Sequence, residues 1–256
     1  MSDSPAVARA RIAVAIPCYN EAAAVTSVVA EYRAALPHAE IVVFDNNSND
    51  GTGAIAKELG LRVVEVPKQG KGHAVRAIFQ ELADRDAVVM IDGDGTYPAD
   101  HVVRLLAPIL AGEADMSVGA RRPVDAPGAM TPVRGLGNFL IQAAFRVLIG
   151  PGAGDMLSGY RVFGPKFLNG VSLHSRGFEI ETELTAEAVA RKFRVVEFPV
   201  PYRPRIEGTV SKLRVFRDGR RILIRIVKES LRRKPLRVLS LFGVLIGITY
   251  LIYSYQ

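Results

Sequence analysis

The stretch VVMIDGDGTYP, residues 88–98, decides how the rest of the chain is interpreted. An apolar run typical of a buried strand ends in two carboxylates, Asp92 and Asp94, separated by one glycine. Two like charges this close repel each other unless a positive charge lies beside them. Hard oxygen ligands at this spacing suit Mg²⁺ or Mn²⁺, which share their coordination shell with waters and phosphates. The stretch therefore predicts a divalent-cation site, although Asp-Gly-Asp-Gly alone also suits a turn or part of a calcium loop.

Short apolar runs alternate with helical patterns along the chain. Four strands are predicted in the first half, each followed by a polar loop and a helix: residues 11–16, 40–45, 61–66 and 87–92. The less regular second half is predicted to contain strands at 115–120, 156–163 and 193–200 and helices near 134–149 and 178–190. This alternation predicts a doubly wound, mostly parallel α/β sheet. Because ligands bind beyond the carboxyl ends of parallel strands, we expect the loops of the first half to form one site.

The positive charge of the chain is concentrated in one segment. The whole sequence has a formal net charge of +7, whereas residues 203–237 contain 13 Lys/Arg against 3 Asp/Glu. The rest of the chain is therefore slightly acidic. A basic segment of this kind predicts a phosphate-bearing partner, which is a lipid headgroup, a nucleotide or a nucleic acid.

An uncharged apolar stretch follows the basic segment. Residues 238–253 contain no charged side chain, and with Leu236 they approach the length of a bilayer span. Tyr250, Tyr253 and Tyr255 are placed like interfacial aromatic residues, and the preceding basic run favours the cytoplasmic side. We expect a membrane-associated or transmembrane segment. A buried C-terminal helix and a piece of a longer membrane protein are the alternatives.

Residues 214–231 have an amphipathic helical pattern, with Phe216, Leu223 and Val227 on one face. The opposite face is predicted to carry Arg214, Arg221, Arg225, Lys228 and Arg232. This pattern is typical of a helix on an anionic membrane surface, and a core-packed helix with solvated arginines is the alternative. We therefore expect four parts: a tail at 1–10, a folded domain at 11–212, a basic amphipathic interfacial helix at 213–235 and a membrane-associated segment at 236–256.

The remaining composition excludes some classes of site. The lone cysteine, Cys18, excludes an internal disulfide framework and a multi-cysteine zinc site, and it fits a reducing compartment. Three scattered histidines, His73, His101 and His174, form no metal-binding set. No signal peptide pattern opens the chain, so we expect the folded domain in the cytoplasm.

Seven motifs carry a resemblance to a known family. IPCYNE, FDNNSNDGT, GKG and DGDGTYP, in this order, resemble the family 2 glycosyltransferases of the GT-A fold. MLSGYRVF, GFEIETEL and YRPRIEGTVSKL are similar to the dolichyl-phosphate mannose synthase branch of that family. The resemblance spans about residues 11–215.

The resemblance implies an inverting, metal-dependent glycosyltransferase with a GT-A domain, acting at the cytoplasmic face of the cell membrane. Its donor is a nucleotide diphosphate sugar, its acceptor is a polyprenyl phosphate of the undecaprenyl or dolichyl type, and its cofactor is Mg²⁺ or Mn²⁺. The implied partners include membrane lipid and no nucleic acid, and a membrane partner protein or a homo-oligomer is left open. Asn46 and Asn47 depart from the usual Asp-Asp-Gly-Ser loop and loosely resemble a subgroup using UDP-sugars, with GDP-mannose and UDP-glucose left open.

The resemblance also assigns roles to residues at matching positions. Donor and cofactor binding is assigned to Pro17, Tyr19, Asn20, Glu21, Asp45, Asn47, Lys71, Asp92, Gly93, Asp94 and Ser211. The metal is assigned to Asp92 and Asp94. Catalytic roles are assigned to Asp94, Arg121, Arg134, Asp155, Glu181, Arg205 and Lys212. Thr96 stands where this branch can carry a glutamine ligand, so a third protein ligand is not expected.

The chemistry of a phosphate acceptor agrees with these roles. Its second pKa is about 6, so near neutral pH it is already a nucleophile and needs no strong general base. It does need cations, and arginine forks such as Arg121 and Arg134 suit that task. Four carboxylates are then predicted mainly to position the sugar and the arginines: Asp155, Glu179, Glu181 and Glu183. A role as general base toward a hydroxyl acceptor is left open.

Four other functions were weighed. A GT-A enzyme acting on a hydroxyl of a cell-surface glycan or glycolipid is the main alternative. A processive synthase would carry a Gln-x-x-Arg-Trp motif, and the chain contains no tryptophan. A nucleotidyltransferase would carry a glycine-rich loop where this chain has PCYNE. A nucleic-acid binder would not need the two aspartates, and it would bind bare nucleic acid in a salt-dependent way.

Overall fold

A mixed β-sheet forms the centre of the protein, which is described by a computed structural model over residues 9–123, 132–151, 154–212, 215–236 and 240. Within these residues the strands are β1 (Ile12–Cys18), β2 (Glu40–Asp45), β3 (Arg62–Glu65), β4 (Ala87–Met90), β5 (Met116–Pro123), β6 (Arg161–Phe163) and β7 (Val195–Tyr202). Their order across the sheet is β3-β2-β1-β4-β6-β5-β7. All neighbours are parallel except β6, which is antiparallel to β4 and β5. The expectation of a mostly parallel α/β sheet is confirmed.

Helices cover both faces of this sheet. They are α1 (Ala22–Ala35), α2 (Thr52–Glu58), α3 (Lys71–Glu81), α4 (Val102–Leu110), α5 (Pro132–Leu148), α6 (Pro165–Gly170), α7 (Ile180–Ala190) and α8 (Val215–Arg233). The sequence analysis did not predict α4 and α6. Both are short, and each contains a proline, Pro108 in α4 and Pro165 at the start of α6. Proline lacks the N–H of a regular helix, so Pro108 weakens the helical pattern of α4. Helix α6 has only six residues, which is too short for a periodic pattern to be visible.

The sheet is buried on both faces because apolar residues occupy both sides of its central strands. In β1, Val14 and Ile16 face the layer made by α1, α2 and α4. Ala13 and Ala15 face the layer made by α3, α6 and α7. Strands buried on both sides are expected to read as continuous apolar runs, as β1 does. This burial holds the carboxyl ends of β1, β2 and β4 at one edge of the sheet.

Helices α5 and α8 form an outer layer against α7. Ile141 and Phe145 of α5 pack with Ile222 and Ile226 of α8 and with Ala186 of α7 in one apolar cluster. On this side of the domain the sheet, helix α7 and the pair α5 and α8 therefore form three successive layers, with α5 and α8 outermost.

The predicted division of the α8 faces is wrong for Arg225. Its guanidinium pairs with Glu183 of α7 and with Glu229, so it lies inward, while Leu223 is 42% exposed. The sequence pattern did not reveal this because the partner that draws Arg225 inward lies on another helix. No helix in the described parts of the chain is long and apolar enough to cross a membrane. Residues 1–8 of the predicted tail and, except for Ser240, the apolar segment 238–253 lie outside the described residues.

Candidate active site

The loops at the carboxyl edge of the sheet surround a cavity of about 1040 Å³. Its walls come from the loops after β1, β2, β3 and β4, from the loop before α7, from the segment after β7 and from α8. Ten of the predicted residues line it: Pro17, Tyr19, Glu21, Lys71, Asp92, Gly93, Asp94, Arg205, Ser211 and Lys212. Motifs that lie far apart in the sequence therefore share one cavity, as expected for loops following parallel strands.

Asp94 has partners on both of its oxygens. Its Oδ1 accepts hydrogen bonds from the backbone N–H of Thr96 at 3.1 Å and from the Thr96 hydroxyl at 2.7 Å. Its Oδ2 lies 2.5 Å from Nη1 of Arg205. Burial and the neighbouring Asp92 raise the pKa of Asp94, and Arg205 opposes them. Thr96 thus holds the carboxylate in place and leaves a single oxygen, Oδ2, for a cation.

Asp92 is held by Lys71. The lysine ammonium lies 2.6 Å from Asp92 Oδ1 and 2.5 Å from Glu181 Oε1 of α7. Burial alone would raise the pKa of Asp92, but Lys71 outweighs it and the pKa lies below its usual range. Burial also acts against the charge of Lys71, yet the two carboxylates raise its pKa above the ordinary value. Asp92 is therefore ionised, and Glu181 positions the lysine.

The GKG motif requires glycine at two positions because another part of the backbone lies close to it. The loop before α7 crosses over it, and the Gly72 N–H donates to the Arg176 carbonyl at 3.1 Å. A Cβ on Gly70 would lie 2.2 Å from the Arg176 carbonyl oxygen, and one on Gly72 would lie 2.3 Å from that of Ser175. Gly70 also has a φ of +133°, which L-residues rarely adopt. The two glycines thus let Lys71 enter the site between two loops.

Glycines also pack closely around the Asp92–Asp94 motif. A Cβ on Gly93 would lie 2.7 Å from Sγ of the buried Cys18. A Cβ on Gly159, in the MLSGYRVF motif, would lie 2.6 Å from Oδ2 of Asp92. The Gly159 N–H donates to the Tyr97 hydroxyl at 3.0 Å. Sequence reasoning missed Gly159 and Tyr97 as site residues, although both belong to motifs that it singled out.

Glu21 and Lys212 close the other side of the cavity. The Lys212 ammonium donates to Oε1 of Glu21 at 2.8 Å and to the Asn20 carbonyl at 2.7 Å. Burial raises the pKa of Glu21 to about 7, and Lys212 opposes that shift. The Asn20 side chain accepts the Asn49 N–H at 2.9 Å and so joins two loops. Asn20 thus acts on the loop structure and does not line the cavity.

The loop after β2 presents a residue that was not assigned a role. Asn46 donates to the carbonyls of Val66 and Lys68 and accepts the Gly70 N–H at 2.6 Å. Its amide thus holds the loop that leads into the GKG motif. The two residues predicted to bind donor, Asp45 and Asn47, flank Asn46 and do not line the cavity. Asp45 accepts the Ser48 N–H at 3.1 Å, and Asn47 is exposed.

Arg121 and Asp155 form a separate pair. Nε of Arg121 lies 2.7 Å from Oδ2 of Asp155, and Nη2 lies 2.8 Å from Oδ1, which is a bidentate arrangement. The two backbone N–H groups of Gly154 and Asp155 donate to Glu197. Neither Arg121 nor Asp155 lines the cavity. Arg134 lies on α5, but its side chain is outside the described residues, so the acceptor role of the two arginines remains a prediction.

A divalent cation fits the paired aspartates. Among the described residues there is no group of three or more His, Cys, Asp or Glu side chains suited to hold a metal. Asp92 and Asp94 would thus supply two carboxylates, and waters and donor phosphates would complete the shell, as is usual for Mg²⁺. Asp94 Oδ2 already faces a cation, the Arg205 guanidinium. Two carboxylates beside a cation are a donor set that would suit a metal shared with a phosphate ligand.

Comparisons with known proteins identify the family. The chain matches the model of the family described as Glycosyl transferase family 2 over residues 13–161. It is 36% identical to the glycosyltransferase AglJ of Haloferax volcanii over 88% of this chain and 74% of that protein. It is 33% identical to the polyprenol monophosphomannose synthase of Mycolicibacterium smegmatis over 82% of this chain and 84% of that protein.

A solved structure shows the same fold. The glucosyl-3-phosphoglycerate synthase of Mycobacterium tuberculosis, in complex with Mn²⁺, UDP and glucosyl-3-phosphoglycerate, aligns with a TM-score of 0.68 at 24% identity. The alignment covers 90% of this chain and 81% of that chain. With the family match over more than half of its length, and with the ordered motifs meeting in one cavity, this chain belongs to the family 2 glycosyltransferases, as its sequence predicts.

Proposed function

We propose that this glycosyltransferase moves a sugar from a nucleotide diphosphate sugar to a polyprenyl phosphate, with inversion at the anomeric carbon. The observation that carries the proposal is the pair Asp92 and Asp94 in one cavity with the cations of Lys71, Arg205 and Lys212. Two carboxylates suit a divalent metal, and three cations suit a diphosphate. The name of the mycobacterial relative supports the polyprenyl acceptor.

The residues present account for a single displacement. An oxygen of the acceptor phosphate attacks the anomeric carbon, and the bond from that carbon to the donor's diphosphate breaks. A bound Mg²⁺ or Mn²⁺ supplies positive charge for the leaving diphosphate. Arg205 and Lys212 lie on the same segment and add cations there. The acceptor is already anionic, so no proton has to be removed from it.

A specific observation favours the alternative of a hydroxyl acceptor. Glu179 lines the cavity, and its buried Oε2 has no hydrogen-bond partner among the described residues. A carboxylate placed in this way suits a general base, which a hydroxyl acceptor needs and a phosphate acceptor does not. Glu179→Gln separates the two reactions, since it should abolish transfer to a hydroxyl and leave transfer to a phosphate within a few-fold.

We also place the enzyme at the cytoplasmic face of the membrane. Helix α5 exposes four apolar side chains at helical spacing: Leu136, Phe139, Leu140 and Val147. Leu223, Ile224 and Leu231 are exposed on α8, which also carries the exposed Lys228. Apolar residues flanked by cations suit an anionic bilayer surface. Sedimentation with phosphatidylglycerol vesicles tests this: Phe139→Glu should lower the bound fraction, and unchanged binding would remove α5 from the surface.

The reaction is tested with donor and acceptor together. Detergent-solubilised protein is incubated with Mg²⁺ or Mn²⁺, a panel of UDP- and GDP-sugars and undecaprenyl phosphate, and glycolipid is detected by mass spectrometry. One glycolipid product is expected, reduced about 10³-fold or more in Asp94→Asn and by EDTA. Nucleotide binding without glycolipid would overturn the lipid-phosphate acceptor. Full activity of Asp94→Asn would overturn the metal role of the aspartates.

A further inference from the structure

Arg205 and a divalent metal need the same carboxylate oxygen. We propose that Arg205 is the resident counter-ion of Asp94 in the metal-free enzyme, that it competes with the metal for Asp94, and that it transfers to the donor's diphosphate once metal and donor are bound. The inference rests on the proposed function for the identity of the metal and the donor. It adds a competition between protein and metal that the assigned roles of these residues do not contain.

The geometry of Asp94 sets up the competition. Its Oδ1 is occupied by the two hydrogen bonds from Thr96, at 3.1 and 2.7 Å. Only Oδ2 remains for a cation, and Nη1 of Arg205 lies 2.5 Å from it. Asp94 is 2% exposed with Arg205 in place. A metal that binds Asp94 through Oδ2 has to displace the guanidinium.

The backbone around Arg205 limits how it can move. The Arg203 N–H donates to the Thr96 carbonyl at 2.9 Å, and the Ile206 N–H donates to the Asp94 carbonyl at 3.2 Å. The Ile206 side chain also lies over Gly95, where a Cβ would come within 2.5 Å of it. The segment is thus fastened to the metal-binding motif on both sides of Arg205. Its side chain can swing, while its Cα stays beside the site.

A displaced guanidinium therefore remains close to whatever the metal binds. A donor diphosphate shares the metal's coordination shell, so its oxygens come within reach of an arginine anchored at this edge. The planar fork of arginine suits phosphate oxygens as well as carboxylates. The same residue that opposes the metal alone thus supports the complex of metal and donor. This makes binding of metal and donor mutually dependent.

If Arg205 competes with the metal, one substitution should change the affinities for metal and for nucleotide in opposite directions. In Arg205→Gln the competitor is gone and the charge of Asp94 is uncompensated, so Mn²⁺ alone should bind roughly 3- to 10-fold more tightly. The diphosphate also loses a cation, so UDP or GDP in the presence of Mn²⁺ should bind roughly 10-fold more weakly. A residue that served only to stabilise the fold would not separate the two ligands in this way.

The measurement is a titration of free Mn²⁺ by electron paramagnetic resonance, with the full chain in detergent, first without nucleotide and then with UDP or GDP. The matched control is Arg203→Gln, two residues away. Arg203 pairs with Glu31 at 2.9 Å, with both side chains more than 40% exposed. This control should leave both affinities within about twofold, as expected for a surface pair. The thermal midpoint of each variant shows that it is folded.

Tighter binding of Mn²⁺ together with weaker binding of nucleotide in Arg205→Gln alone supports the proposal. Unchanged or weaker binding of Mn²⁺ without nucleotide overturns it and leaves the proposed function intact. Absence of Mn²⁺ binding in the wild type even with nucleotide, or Mn²⁺ binding that Asp94→Asn does not affect, overturns both the proposal and the metal role of Asp92 and Asp94.

Discussion

The molecule contains two buried networks of charged side chains with different designs. Around the aspartate pair, four carboxylates share three cations: Asp92, Asp94, Glu21 and Glu181 with Lys71, Arg205 and Lys212. Between α7 and α8, three carboxylates alternate with three arginines: Glu183, Glu187 and Glu229 with Arg225, Arg233 and Arg191. The first network lines the cavity, whereas the second joins two helices and reaches the cavity only through Arg225.

The difference separates a binding network from a structural one. The active-site network has four carboxylates for three cations, and Oε2 of Glu21 has no hydrogen-bond partner among the described residues. A site of this kind has capacity for a divalent cation. Between the helices, charges of opposite sign are matched, and Glu183 also accepts the N–H groups of His174 and Ser175 at 2.9 and 2.7 Å. Every charged side chain of that network has a partner of opposite charge without a ligand, although Nε of Arg225 has no hydrogen-bond partner among the described residues. We expect this network to be the more sensitive to loss of a single member.

The largest effect is expected from Arg225→Met, which leaves the fully buried Glu183 without its cation. Removing one partner of a buried pair costs about 3–5 kcal/mol of unfolding free energy. Glu183 still accepts two backbone N–H groups in this variant. We therefore expect a loss near the lower end of that range. Urea denaturation measures it, with Arg220→Met, an exposed position of the same helix, as the control. Equal losses in both variants would show that the α7–α8 network does not stabilise the fold.

A smaller effect is expected from Gly159→Ala, which pushes a methyl group against the Asp92 carboxylate. Misplacing a metal ligand by a fraction of an ångström should lower the transfer rate about 10- to 100-fold. Gly137→Ala in α5 is the control, because nothing lies within 4 Å of the added methyl. It should leave activity unchanged and stabilise the helix by about 0.5–1 kcal/mol. Unaltered activity of Gly159→Ala would mean that Asp92 tolerates displacement.

The smallest effect is expected in the pH dependence of stability and comes from Glu21. Burial raises the pKa of this carboxyl from 4.5 to about 7. Between these values the folded state binds the proton more tightly than the unfolded state, so this contribution to stability falls as pH rises and is lost above about 7. In Glu21→Gln this part of the dependence of unfolding free energy on pH disappears. The difference in unfolding free energy between wild type and variant should change by an amount on the order of 1 kcal/mol between pH 5 and 7.5. Parallel stability curves would show that Glu21 titrates normally.

The first half of the chain could be predicted well because its signals are local. Strand β2 has the predicted bounds, Glu40–Asp45, and the loops after β1, β2, β3 and β4 meet in one cavity as expected. Apolar runs, turn glycines and the spacing of Asp92 and Asp94 are each visible within a short window of sequence. The parallel sheet then places these windows at one edge. The roles assigned to the individual site residues remain predictions.

The second half could not be predicted to the same depth because its features depend on distant partners. The pairing of Arg225 with Glu183, the packing of Gly159 on Asp92 and the loop over Gly70 each join segments that are far apart in the chain. Helical periodicity placed Arg225 on an outer face, since a periodic pattern contains no information about a neighbouring helix.

The sequence by itself determined the sheet, the family and the kinds of side chain available for the site. Only the tertiary structure decided which cation stands beside which carboxylate: Lys71 beside Asp92, and Arg205 beside Asp94. The physical reason is the range of the interactions. Strand and turn preferences act within a few residues, whereas the partner of a charge is whichever opposite charge the packing of the helices and loops brings within about 3 Å.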